Sequence, residues 1–284
     1  MKGDNKVEKI ISASSSELKD ITNILSNYYN FTTDENENIF IKEKTQIDNS
    51  NTDAYVITLK NQLQLKMQEA LDAQLATITA LSTLAETCDS YTHNHIPRIK
   101  LYCMTMADYI HNNEYSYDEV DEEFVDNIFY AAALHDIGKV SVPNDILRKP
   151  GKLTDEEFEE IKKHPLYGAD TLMGVLDMHP DNKFLVMGLQ IARYHHERYD
   201  GTGYPDGLKN SEIPLPARIM AVSDLYDALR SERPYKKPLD HLTAKSVILN
   251  ETNTHLDPIL VEVFLSCEDE FVRINDALPA MKSF

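Results

Sequence analysis

The stretch "FVDNIFYAAALHDIGK", residues 124–139, decides the fold. Phe124, Val125, Ile128, Phe129 and Ala132 recur with the 3.6-residue period of a helix that buries one face. The apolar run then delivers His135 and Asp136 together at the buried end of that helix. Burying an imidazole and a carboxylate without partners is costly. A metal ion removes the cost, and so does a hydrogen-bonded core pair; the dipeptide alone does not distinguish the two.

Working outward, "ARIMAVSDLYDAL" at 217–229 repeats the pattern, with Ile219, Val222, Leu225, Tyr226 and Leu229 on one face. Prolines at 143, 150, 165, 205, 214, 216, 234, 238 and 258 punctuate the joints between such segments. Thr154 followed by Glu157 predicts a capping box at one of the helix starts. The expected fold class is all-α, a helical bundle domain. Upstream, Leu59, Leu63, Met67, Leu71, Leu75, Ile78 and Leu81 recur in steps of three or four, with no proline or glycine until Pro97. This predicts a long connecting helix over 59–84, whose stripe is either a coiled-coil seam between two protomers or a face packed on its own domain. Residues 1–58 read as a small accessory segment. Val7, Ile10, Ile11, Leu18, Ile21, Ile24 and Leu25 have helical spacing, whereas "IFI" at 39–41 and "AYVITL" at 54–59 read as short strands. The segment is too short for a standard receiver domain of about 120 residues.

At 284 residues and 42% hydrophobic content the chain is long and apolar enough for a buried core. It has no apolar run of membrane-spanning length and no apolar core behind its first residues, so a cytoplasmic protein without a membrane span is expected. Cys88, Cys103 and Cys267 are widely spaced and form no CxxC pair, which argues against a disulfide framework or thiolate zinc site. The net charge of −19 disfavours a nucleic-acid polymer, which needs a continuous basic track, but leaves room for a small anion in a local basic pocket.

The remaining chemistry lies in histidines and isolated acids. His195 and His196 are neighbours whose side chains project about 100° apart on a helix, so each suits one of two adjacent ions, with a carboxylate such as Asp136 able to bridge them. His164 stands between the helix "TDEEFEEIKK" and Pro165, where its ring is free to turn inward. Asp224 sits among Val222, Leu225 and Tyr226, and an acid in that company needs a partner.

Taken in order, "HDIGK" (135–139), "KKHP" (162–165), "HHERYDGTGYPDGL" (195–208), "IPLPARIMAVSDLYDALRSERPYKK" (213–237) and "HLDP" (255–258) resemble the HD-GYP family, metal-dependent phosphodiesterases of cyclic di-GMP. The resemblance covers residues 75–273, leaving 274–284 as a tail. It implies an HD-type bundle and makes His95, His135, Asp136, His164, His195, His196 and Asp224 metal ligands. Five imidazoles and two carboxylates suit iron or manganese, with zinc an alternative. The same resemblance places Lys139 on the scissile phosphate and Tyr204, Asp227, Arg233 and Lys236 on the bases or phosphates of the ligand. Some members carry a glutamate four residues before the first histidine that helps hold a third ion. Here that position is Tyr91, so two divalent ions are expected.

The implied reaction is attack on phosphorus by water activated between two ions, with Asp136 and Lys139 as catalytic residues. The product is linear pGpG, with onward cleavage to GMP left open. A phosphodiesterase for 3′,3′-cyclic GMP-AMP is the alternative substrate reading. A receptor that passes its cyclic-dinucleotide state to a signalling partner protein is the alternative of another class. Gly201, Gly203 and Gly207 are expected to let the loop after the paired histidines turn sharply and bring Tyr204 over the substrate.

Overall fold

The computed structural model describes residues 29–33, 39–43, 49–86, 94–113, 115, 117–232 and 237–279. The helix read from Val7 to Leu25 lies outside these residues, as do Cys88, Tyr91, Arg233 and Lys236. By its own contacts the chain divides into two compact units, residues 1–70 and 71–284.

In the first unit, strands Tyr29–Thr33 and Ile39–Glu43 pair antiparallel, with Phe31 opposite Ile41. The expected strand at 39–41 is therefore present. The one expected at 54–59 is not, because those residues belong to a single helix, Asn49–Glu86. A short apolar run is ambiguous between strand and helix, and here it continues directly into a long helical pattern that propagates through it.

The stripe on this helix changes character along its length. Leu59, Leu63 and Met67 are exposed, as is Leu81. Further on, Ile78 packs against Leu134, Leu172 and Ala192, and Ser82 and Ala85 are buried. Spacings of three and four put residues 78, 82, 85 and 86 on one face, so the last two turns aim inward and end on Glu86.

The second unit is built from helices His95–His111, Glu122–Ala131, Asn144–Leu147, Asp155–Ile161, His164–Leu176, Lys183–Tyr194, Leu215–Arg230, His241–Asn250 and Pro258–Ala277. Ile99, Met106, Ile128, Ile191, Ile219 and Phe264 are among the residues of its main core, and Tyr102 stacks on Phe271 at 4.5 Å. Ile274, expected to open a tail, is instead part of that core, since the last helix runs on to Ala277. The capping box predicted at Thr154 and Glu157 is formed in both directions. Asp121, Asn182, Asp240 and Asp257 cap further helices through their side chains.

Gly138 sets the spacing between the His-Asp segment and the helix that starts at His164. A Cβ there would lie 2.0 Å from the carbonyl oxygen of His164 and 2.4 Å from the nitrogen of Gly168. Only glycine allows this backbone-to-backbone approach, which puts Asp136 and His164 side by side.

Candidate metal centre

All seven residues expected to bind metal come together, in two groups. Asp136, His164, His195 and His196 form one, and His95, His135 and Asp224 the other. Asp136 faces both. Its Oδ1 lies 3.2 Å from His164 Nε2 and 3.8 Å from His195 Nε2, while its Oδ2 lies 3.1 Å from His135 Nε2.

The hydrogen bonds behind the rings fix which nitrogen faces the site. His164 Nδ1 donates to the Ile161 carbonyl (2.7 Å), His135 Nδ1 to that of Ala132 (3.0 Å), and His195 Nδ1 to those of Ile191 and Ala192 (3.0 and 3.2 Å). His95 Nδ1 donates to Asp227 Oδ2 at 2.8 Å. A carbonyl or carboxylate only accepts, so each Nδ1 carries hydrogen and the neutral form of each ring turns the lone pair of Nε2 inward. Two such pairs then face each other, His95 with His135 at 3.4 Å and His164 with His195 at 3.3 Å. Asp136 Oδ1 is buried among them without a hydrogen-bond partner among the described residues. Converging acceptors with no hydrogen between them repel unless a cation sits at their focus, and a set of imidazoles and carboxylates fits a divalent transition metal.

The electrostatics agree. Burial, followed by the neighbouring imidazoles, holds His195 and His196 well below the ordinary histidine range, so both are neutral and ready to ligate. Burial opposes charge on Asp136 too, but Lys139 and His135 outweigh it and hold the carboxyl well below its ordinary value. Lys139 is itself buried, with Nζ 2.8 Å from Asp136 Oδ2. Burial works against a charged His135, yet adjacent Asp136 pushes its imidazole up to about 9, and an ion arriving there displaces that proton.

Asp227 lies behind His95. It is 1% exposed, and its oxygens accept from Arg98 Nε (2.5 Å), Arg98 NH2 (2.9 Å), His95 Nδ1 and the Ser231 hydroxyl (3.1 Å). Through His95 Nδ1 it supports that ring from behind. Sequence reading missed this because Asp227 and His95 are 132 residues apart and only the packing of two helices joins them.

Tyr204 stacks on His196 with centroids 4.8 Å apart and 23° between planes. Its loop is held by Glu197, another residue given no role from sequence. One Glu197 oxygen accepts from the amides of Asp206 and Gly207 at 2.7 and 3.0 Å, and the other from that of Leu208 at 3.1 Å. Gly201 and Gly207 have φ of 81° and 69°, and a Cβ on Gly203 would lie 2.3 Å from the Arg198 nitrogen. The glycines thus have the backbone roles expected of them.

Comparison with known proteins gives the same outcome. Residues 21–260 match the HD domain family. The chain belongs to that family, and its ordered motifs are those of the HD-GYP branch. It is 40% identical over 213 residues to a cyclic di-GMP phosphodiesterase of Vibrio cholerae, covering 75% of this chain and 43% of the relative. A cyclic di-GMP phosphodiesterase of Thermotoga maritima is 40% identical over 194 residues, 68% of this chain and 49% of its own. A 3′3′-cGAMP-specific phosphodiesterase of Vibrio cholerae is 35% identical over 199 residues, 70% and 36% respectively. The chain spans about half or less of the length of these relatives. Among the described residues no helix is long and apolar enough to cross a membrane.

Proposed function

We propose that this protein is a metal-dependent phosphodiesterase that opens cyclic di-GMP to the linear dinucleotide. One observation carries the reading: seven potential ligands form two groups that share Asp136, with Lys139 beside it. His164, His195, His196 and Asp136 hold one divalent ion, and His95, His135, Asp224 and Asp136 the other, iron or manganese being the best match to this nitrogen-rich set. Bound there, the ions supply Lewis acidity toward phosphoryl oxygens and a water acidic enough to act as nucleophile near neutral pH.

The chain's own groups do the rest. Asp136 divides its oxygens between the two groups and keeps them in register. Lys139 brings a buried positive charge to where charge builds on the phosphoryl oxygens. Tyr204, stacked on His196 and held by the Glu197-clamped loop, offers an aromatic wall for a guanine base. Arg233 and Lys236, outside the described residues, are the basic residues that the motif resemblance assigns to the bases or phosphates of the ligand, in a chain of net charge −19.

The test is anaerobic turnover of cyclic di-GMP and 3′,3′-cyclic GMP-AMP in parallel, with elemental analysis of the same samples. Asp136→Ala should lose turnover and metal together, Lys139→Ala should keep metal and turn over slowly, and Tyr204→Ala should keep metal and raise KM. An Asp136→Ala protein with two ions and full activity would sink the reading. Faster turnover of cyclic GMP-AMP would move this protein to the second substrate, which the cGAMP-specific relatives keep in play.

The exposed Leu63 and Met67, at 63% and 65% exposure, support a further part of the reading, a homodimer through the long helix. Light scattering on the Leu63→Glu, Met67→Glu double variant should then report a monomer.

A further inference from the structure

Glu86 takes no part in the site as described so far. It ends the long helix, nine positions before His95 and on the same inward face as Ile78, Ser82 and Ala85. Its Oε1 is buried without a hydrogen-bond partner among the described residues and lies 3.6 Å from His95 Nε2. That nitrogen is in turn 3.4 Å from His135 Nε2.

Both rings have their Nδ1 hydrogens committed elsewhere, so once an arriving ion displaces the second proton of His135 the three atoms facing one another are acceptors. A proton shared between Glu86 and His95 would hold them at hydrogen-bond distance, about 2.7–3.2 Å. Donors bound at about 2.0–2.2 Å to one ion lie roughly 3–4.4 Å apart, which covers both observed separations.

We infer that Glu86 is a carboxylate ligand of the ion held by His95, His135 and Asp224. This rests on the metal-centre reading above and adds to it. The second ion gains a fourth protein residue besides the shared Asp136.

The experiment is titration of full-length, metal-stripped protein with Mn²⁺, following free Mn²⁺ by electron paramagnetic resonance. Wild type should bind two equivalents. Glu86→Gln, which keeps size and shape, should bind one with unchanged affinity and the second at least about 10-fold more weakly. Circular dichroism and thermal unfolding report whether it folds, and Glu86→Asp carries the same readout if it does not. Two equivalents bound by Glu86→Gln and Glu86→Asp with wild-type affinities would overturn the inference and leave the metal centre standing. Absence of Mn²⁺ binding by wild type would overturn both.

Discussion

His164 and His195 hang from backbone carbonyls, whereas His95 hangs from a side chain, Asp227, which is itself held by Arg98 and Ser231. The two halves of the metal centre therefore rest on different supports. A carbonyl inside a helical turn is not removed by any one substitution, so the first group depends on how closely backbones pack. In the second, His135 also has a backbone carbonyl behind it, but His95 depends on a chain of buried side chains, each of which can be deleted singly. Substitutions of the two kinds should unload the two ions separately.

The largest effect is expected at the first group, from Gly138→Ala. The added methyl would meet the backbone of His164 and Gly168, and neither can rotate away. Overpacking of this kind costs on the order of 1–3 kcal/mol, and a displacement of about 1 Å at reacting groups costs on the order of 100-fold in rate. Thermal unfolding and turnover measured together should show both losses. A Gly138→Ala protein with wild-type melting temperature and activity would mean that the two backbones can part without moving His164.

The second group should give way to Asp227→Asn. Burial disfavours the Asp227 charge, but Arg98 and His95 overcome it and bring the carboxyl down to about 2. Because the folded-state value lies below that of the unfolded chain, the stabilisation is fully present above about pH 4 and is lost as pH falls toward 2, a contribution of about 2 kcal/mol. Denaturant titrations between pH 7 and pH 3 should show wild type losing about half of this increment, and Asp227→Asn, which never had it, declining less. At neutral pH the variant should bind its second Mn²⁺ about 10–100-fold more weakly, as expected when the partner behind a ligand is lost, and its first as wild type does. Equal weakening of both ions would erase the distinction between the groups.

How much of this was legible beforehand follows the same division. The residues of the first group and His135 sit in short contiguous motifs, and the period of 124–132 and 219–229 showed the helices that carry the second group's His135 and Asp224. Groups close in sequence keep their relation through local geometry. Glu86, Arg98, Asp227 and Ser231 act across helices, and spacing along the chain says nothing of which helix faces which. Glu86 did carry a signal: it continues the inward face of 78, 82 and 85, and an acid at the end of such a face is as anomalous as Asp224 among its apolar neighbours. The strand misread at 54–59 shows the converse, where local composition pointed one way and the longer pattern prevailed.

The smallest expected effect is also the most selective. The Ser231 hydroxyl accepts from Arg98 NH2 at 2.8 Å and donates to Asp227 Oδ2 at 3.1 Å, and it is 4% exposed. Ser231→Ala removes one bond from each partner, yet Arg98 and Asp227 keep their direct pair, so no buried charge is stranded. The loss should be about 1 kcal/mol of stability, the net worth of a typical hydrogen bond. Because Asp227 Oδ2 is the atom that also accepts from His95 Nδ1, the lost tether should appear as a small drop in second-ion affinity, a few-fold at most, with the first ion untouched. Mn²⁺ titration of Ser231→Ala beside Asp227→Asn then ranks the two positions. If the serine variant weakens the second ion as much as the asparagine variant does, His95 is positioned by the whole network acting together and not by Asp227 alone.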